Sequence, residues 1–354
     1  MGPTGESRVV QIHPTRRCNL RCLHCYSSSS PEERGMLDAA LLFSAVEDIA
    51  TEGFNWISLS GGEPLLYPPL PDLLSHAKAH SLKTALVTNG MLLNRSHLDR
   101  IASHTDLLVI SIDGKPDSHN AIRGSKNAFN IMASRLADID RCGIPFGFIF
   151  TLTQHNLDEL PWVAEFAANS GAKLLQIHPL ESVGNATEQL PGKVPDAIEA
   201  AYAWVLAQEI QKTVGDRMAI QIDLVFSEAV KQNPELIYAD ASSITADEGL
   251  AETISPLVIE ADGTVVPLQY GFSRKHALGN LHDAPLSVLA DRWQEDRWSE
   301  FKAVCNTLYE QVSVATKPYF FNWYEEIATL ADQQAMLDRA TTTRIPLSEV
   351  TVAS

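Results

Sequence analysis

The sequence is poor in cysteine: five in 354 residues, too few and too unevenly spaced for a disulfide framework. It has no run of about 18 apolar residues that would read as a membrane span. Met1 to Ser7 lacks the apolar stretch of a secretory signal. Basic residues are also scarce, 27 Lys and Arg against 44 Asp and Glu, for a formal net charge of −17. A surface this acidic repels phosphate backbones, and no Lys/Arg run lines a compensating groove. Neither nucleic acid nor membrane is therefore an expected partner, and the expected location is the cytoplasm. With 45% hydrophobic and 20% charged residues, the chain is rich enough in apolar groups for a sizeable core.

What is present is an alternation. Residues 8–13, 55–60, 83–88, 107–112, 146–152 and 173–178 read as strands. Helical patterns at 38–53, 71–80, 126–142 and 157–169 fall between them, with Leu42, Val46 and Ile49 spaced for one helix face. Strand alternating with helix implies a parallel sheet with right-handed crossovers. Six units fall short of the eight of a closed barrel, so the expected fold is α/β, a partial (β/α)6 TIM barrel. Its chemistry should sit at the carboxyl ends of the strands. After about Ser182 the pattern changes. A long helix is expected at 195–213, one more strand is possible at 218–225, and 233–253 reads as a polar, acidic loop. A hairpin turning at Asp262-Gly263 is expected over 257–266, followed by a mostly helical tail whose last dozen residues look frayed. The expected division is a core at 1–190, a helical connector and acidic linker at 191–254, and a small α+β extension at 255–354.

Cys18, Cys22 and Cys25 follow the first strand directly. Four irons of a cubane normally take four thiolates; three in one tight loop would leave the fourth iron open to a chelating substrate. Zinc is the alternative, since structural zinc wants four ligands and His13 or His24 could complete the set. Spacing alone leaves both open, and a zinc-stabilised binding module without catalysis is the corresponding competitor.

Cys-x3-Cys-x2-Cys after strand one, with Tyr26 following, resembles the signature of the radical S-adenosylmethionine (SAM) superfamily. The resemblance implies one [4Fe–4S] cluster on Cys18, Cys22 and Cys25, with SAM on the open iron. An electron from an external donor would then release a 5′-deoxyadenosyl radical that abstracts a substrate hydrogen. Ser60-Gly61-Gly62-Glu63-Pro64 resembles the family's Gly-Gly-Glu motif, which holds the methionine amino group. Thr88-Asn89-Gly90 ends the third strand as in similar members. Ser111 is the expected contact to ribose or methionine, with Asp113 read as a possible turn cap. His119-Asn-Ala-Ile-Arg123-Gly124 resembles the segment whose Arg pairs with the cofactor carboxylate, a task suited to a guanidinium. Thr151, Thr153 or Asn156 is expected at the ribose, and Gln176-Ile-His178 with the turn at Gly184 beside adenine. His178 could equally be a core or substrate-facing residue.

The hairpin Asp262-Gly-Thr-Val-Val-Pro267 and the later Leu278-Gly-Asn280 resemble the SPASM/twitch-like extension of peptide-modifying relatives. Leu268, however, stands where the first auxiliary-cluster cysteine would be. Cys305 cannot hold a second cubane alone, so a single cluster is expected. Cys305 and Cys142 read as small buried residues, or as hydrogen-atom donors in a peptide epimerase. The chain is thus similar to maturases of ribosomally made peptides, above all the nif11-type branch. That branch includes spliceases, which excise tyramine at a Tyr-Gly site and leave an α-keto-β-amino acid. Epimerases, cross-linking maturases and small-molecule enzymes of tetrapyrrole or cofactor synthesis are the alternatives. With the motif beginning at Cys18, a separate small leader-recognition protein is the expected partner.

Overall fold

The computed structural model describes residues 7–239, 249–317 and 319–342. The centre of the acidic linker and the end of the tail lie outside them. Seven parallel strands form the framework: β1 (Val9–Ile12), β2 (Trp56–Leu59), β3 (Lys83–Thr88), β4 (Leu107–Ile112), β5 (Phe146–Leu152), β6 (Leu174–Pro179) and β7 (Ala219–Ile222). They pair in sequence order, and β7 is the extra strand that the apolar run at 218–225 allowed.

Helices α1 (Ala39–Thr51) and α2 (Leu70–Ala79) pack outside β1–β3. They are followed by α3 (Arg95–Ile101), α4 (Pro116–Ile122), α5 (Ala128–Cys142) and α6 (Leu160–Asn169). Asp38 starts α1 by accepting from the Ala40 and Leu41 amides, and Leu42, Ala45, Val46 and Ile49 are its buried face. Leu42, Val46 and Ile49 each contribute roughly 1.5–3 kcal/mol by leaving water. The patterning did not reveal α3 or α4, both of seven residues, because two turns are too short to show a period.

Alternation along the strands assigns side chains to the two faces. In β6, Leu175 and Ile177 are fully buried under the helices, while Gln176 and His178 point to the interior of the partial barrel. Beyond β6 come α7 (Asn185–Gln189) and α8 (Ala197–Val214), the latter opened by a reciprocal Asp196/Glu199 capping box.

The C-terminal hairpin joins the core sheet. Strand β9 (Leu257–Ile259) pairs in parallel with β1, β10 (Thr264–Pro267) returns antiparallel, and β11 (Gly279–Asn280) follows, giving ten strands in the open order β11-β10-β9-β1-β2-β3-β4-β5-β6-β7. Asp262-Gly263 makes the turn, with Asp262 accepting from the Thr264 amide. A small ribbon of β8 (Val225–Phe226) and β12 (Phe320–Phe321) lies apart from the sheet; α9 (Ser227–Gln232) follows β8 directly. Around the acidic linker, Leu250–Thr253 forms a short helix, α10, where a loop was expected. The tail is helical: α11 (Leu286–Asp296), α12 (Trp298–Val314) and α13 (Trp323–Thr342). Among the described residues no helix is long and apolar enough to cross a membrane.

Candidate active site

A cavity of about 510 Å³ fills the barrel interior, its lining running from Arg8 and Trp56 at the amino ends of the strands to Ser60, Thr88 and Ser111 at the carboxyl ends. All three cysteines of the triad line it, whereas Cys142 and Cys305 do not. Cys18 and Cys22 are buried, Cys25 is partly buried, and all five cysteines are free thiols. With Leu20 and Met91 the triad forms its own apolar patch. Burial, then the nearby carboxylate Glu63, lifts the Cys18 thiol to about 12; burial lifts Cys22 to about 11 against the pull of Arg123. Desolvated thiols crowded together are poorly placed as anions by themselves and well placed as ligands of a cation that displaces their protons.

The loop carrying the triad is held by backbone contacts. The Ser29 amide donates to Cys25 Sγ at 3.3 Å, and Ser27 Oγ lies 3.5 Å from the same sulfur. Arg16 clamps the carbonyls of Ser27 and Ser28. The serine run, which carries no chemistry by composition, is thus the wrap around the third sulfur. The Gly62 amide donates to Thr15 and the Glu63 amide to Arg17. A Cβ on Gly62 would lie 2.3 Å from the Arg17 carbonyl oxygen, so only glycine lets the motif lie against the cysteine loop. Gly184, with φ of +58°, is pressed on the Tyr26 carbonyl in the same way, 2.3 Å from any Cβ, and the next amide, Asn185, donates to Cys25.

Of the residues singled out in the sequence, Gly61, Gly62, Ser111, Arg123, Thr151 and His178 line this one cavity together with Cys18, Cys22 and Cys25. Glu63 does not. It is fully buried behind the glycine pair, accepting from the Thr88 hydroxyl (2.8 Å), the Asn89 amide (3.0 Å) and the Leu65 amide (3.2 Å). Burial still lifts its carboxyl to about 7. Thr153 and Asn156 are also tied up internally, Asn156 accepting from Thr153 and donating to the carbonyls of Asp113 and Thr151.

Asp113 is more than a turn cap. It is wholly buried and accepts from Arg123 Nε at 2.5 Å, with His24 3.5 Å away. Burial alone would raise its carboxyl, but Arg123 and His24 hold it well below the usual range. Arg123 Nη1 then reaches to 3.8 Å from Cys22 Sγ. Motif spacing showed the arginine but not its counter-ion.

At the far wall, His178 donates from Nδ1 to Asp223 at 3.0 Å, and Glu181 lies 3.6 Å from Nε2. Asp223 also accepts from Gln176 and Gln221. About a third of the His178 side chain (32%) opens onto the cavity. Burial opposes its protonation, yet the Asp223 hydrogen bond and the Glu181 charge lift it to about 9. Tyr324, from α13, lines the cavity here, and Glu325 accepts from the Ser182 amide. Asp223 and Tyr324 carried no sequence signal, because nothing in their neighbourhoods repeats a motif.

Residues 12–167 match the family model of the radical SAM superfamily. That region, a little under half of the chain, is a radical SAM domain. The protein is an enzyme, and the family of that domain uses a [4Fe–4S] cluster and S-adenosylmethionine. The chain is 24% identical over 293 residues to the Fe-coproporphyrin III synthase of Methanosarcina barkeri, covering 79% of this chain and 73% of that protein. It is 28% identical over 256 residues to the sporulation killing factor maturation protein SkfB of Bacillus subtilis, covering 72% of this chain but only 58% of SkfB. Among solved structures it is similar to SuiB of Streptococcus suis bound to its precursor peptide SuiA. That likeness has a TM-score of 0.64 at 16% identity, covers 87% of this chain and 67% of SuiB, and shows the shared fold.

Proposed function

We propose that Cys18, Cys22 and Cys25 hold the single cluster and that SAM lies between it and the wall formed by Gly61, Gly62, Ser111, Thr151 and His178. Arg123 would meet the cofactor carboxylate with the guanidinium edge that Asp113 leaves free. The donor set fits such a group: three thiols, two of them buried, share one cavity, and no fourth cysteine lines it. The bound pair supplies one-electron cleavage of SAM to a 5′-deoxyadenosyl radical; the protein orients the substrate and excludes water.

We further propose that the substrate is a ribosomally made precursor peptide and that the reaction is the splicing one, excision of tyramine at a Tyr-Gly site to leave an α-keto-β-amino acid. A separate leader-recognition partner and an external electron donor belong to the same reading. The observation that carries the peptide reading is the charge balance of the cavity wall. Among the described lining residues each cation already has a carboxylate: Arg8 has Glu252, Arg123 has Asp113, and His178 sits between Asp223 and Glu181. Gln11, Gln176 and Gln221 add neutral amides suited to peptide bonds. SkfB, by name a maturation protein, is in accord with this.

The likeness to a coproporphyrin synthase favours a second reading, a tetrapyrrole substrate. Porphyrins bear several rim carboxylates, which need uncommitted cations; among the described lining residues the one guanidinium edge left free, that of Arg123, is already assigned to the cofactor carboxylate. The test is the reconstituted, reduced enzyme with SAM and either a Tyr-Gly precursor peptide or iron coproporphyrin. Peptide-dependent 5′-deoxyadenosine with loss of a tyramine unit is expected. Loss of two hydrogens would instead mean cross-linking, and unchanged mass with deuterium uptake would mean epimerisation. Turnover with the porphyrin and none with peptide would overturn the proposal.

A further inference from the structure

Outside the barrel, away from the cavity, two histidines and a glutamate converge. His76 and His80 are one turn apart on α2, and Glu47 reaches them from α1. One ligand atom from each lies within 4.8 Å of the others. We propose that Glu47, His76 and His80 bind one divalent first-row transition ion, with zinc the best match, clipping α1 to α2.

The spacing carries the first part of the argument. Residues i and i+4 share a helix face, so the two imidazoles stand one above the other, ring centroids 4.5 Å apart. Imidazole selects zinc, copper and nickel over magnesium and calcium, and one carboxylate completes a two-histidine, one-acid set with room for water. Bonds of about 2.0–2.1 Å in a tetrahedron put ligand atoms roughly 3.3 Å apart, and His76 Nε2 is already 3.4 Å from Glu47 Oε1.

The second part is the state of the histidine nitrogens. His76 Nε2 is shielded from solvent and makes no hydrogen bond, although that carboxylate oxygen faces it. A buried imidazole nitrogen beside an acceptor, without a hydrogen bond between them, is what a shared cation would resolve. His80 Nδ1 lies 3.0 Å from the His76 carbonyl oxygen. Donating there fixes its proton on Nδ1 and presents Nε2 as the free ligand, the second-layer arrangement common to metal-bound histidines. Phe43 packs against the His76 ring at 5.0 Å and holds its orientation.

The test uses the cluster-reconstituted enzyme, whose triad is occupied, titrated with zinc chloride by calorimetry and assayed for iron and zinc after dialysis. One zinc per chain above the iron is expected, with a rise in unfolding temperature. His80→Gln and Glu47→Gln, both outside the cavity, should each weaken zinc binding at least tenfold while leaving iron content and SAM cleavage unchanged. No zinc beyond the iron in the wild type would overturn the proposal, as would undiminished binding in both variants.

Discussion

Arg123 is fastened to Asp113, Nε to Oδ2 at 2.5 Å, and the fastening is wholly out of water on the aspartate side. The pair fixes the guanidinium beside the Cys22 sulfur, so the position of one charge is set by another ten residues away. Asp113→Asn should leave the arginine charge uncompensated, at about 3–5 kcal/mol. Chemical denaturation would show a lowered midpoint, and SAM affinity, read by equilibrium dialysis, should fall with it. An unchanged midpoint would mean that the pair does not hold the loop.

Gly62 leaves no room for a methyl group, with the Arg17 oxygen 2.3 Å from its would-be Cβ. Gly62→Ala should therefore displace the cysteine loop and reduce iron per chain after reconstitution well below that of the wild type. Gly35→Ala, where nothing lies within 4 Å, is the control and should load normally.

Cys305 is fully buried in α12 and belongs to the main core cluster. Cys305→Ala should keep all its iron and lose stability by ~1 kcal/mol, an ordinary core truncation. Cys22→Ala should lose cluster and 5′-deoxyadenosine formation together. Iron lost on Cys305→Ala would contradict the single-cluster reading.

The His178–Asp223 pair makes stability depend on pH. His178 is raised to about 9 from an ordinary 6.5, so its contribution is complete below about 6.5 and fades as pH climbs through 9. Asp223 is lowered, so its share is present above the ordinary carboxylate range and fades as pH drops below it. His178→Gln should thus be less stable than wild type at pH 6 and approach it by pH 10, as followed by thermal unfolding. Water in the cavity screens the pair, so the gap should be modest. A gap independent of pH would show that the ring stays neutral.

The six strands and their order were legible because each is an apolar run of strand length between turn signals. The triad and the glycine motif were legible because cofactor chemistry demands particular residues at particular spacings. What stayed hidden depends on tertiary contact. Ser27 and Ser29 look like filler until the loop folds round Cys25. Asp113 looks like a turn residue until Arg123 reaches it. Glu63 was read by motif as facing the cofactor, yet its carboxylate is spent on Thr88 and Asn89 behind the glycines. Tyr324 enters the cavity from a helix that ends the described chain, far from any motif.

Strand β9 completes the sheet beside β1, Val10 against Leu257 and Ile12 against Ile259. During synthesis β1 emerges before β2 to β7, yet it gains its second neighbour only after all of them, when β9 appears. Until the hairpin emerges, one side of an apolar strand stands unpaired, a template for wrong partners. Stop codons placed before Leu257 should accordingly yield a chain that needs a chaperone or precipitates, even with every cysteine of the triad intact.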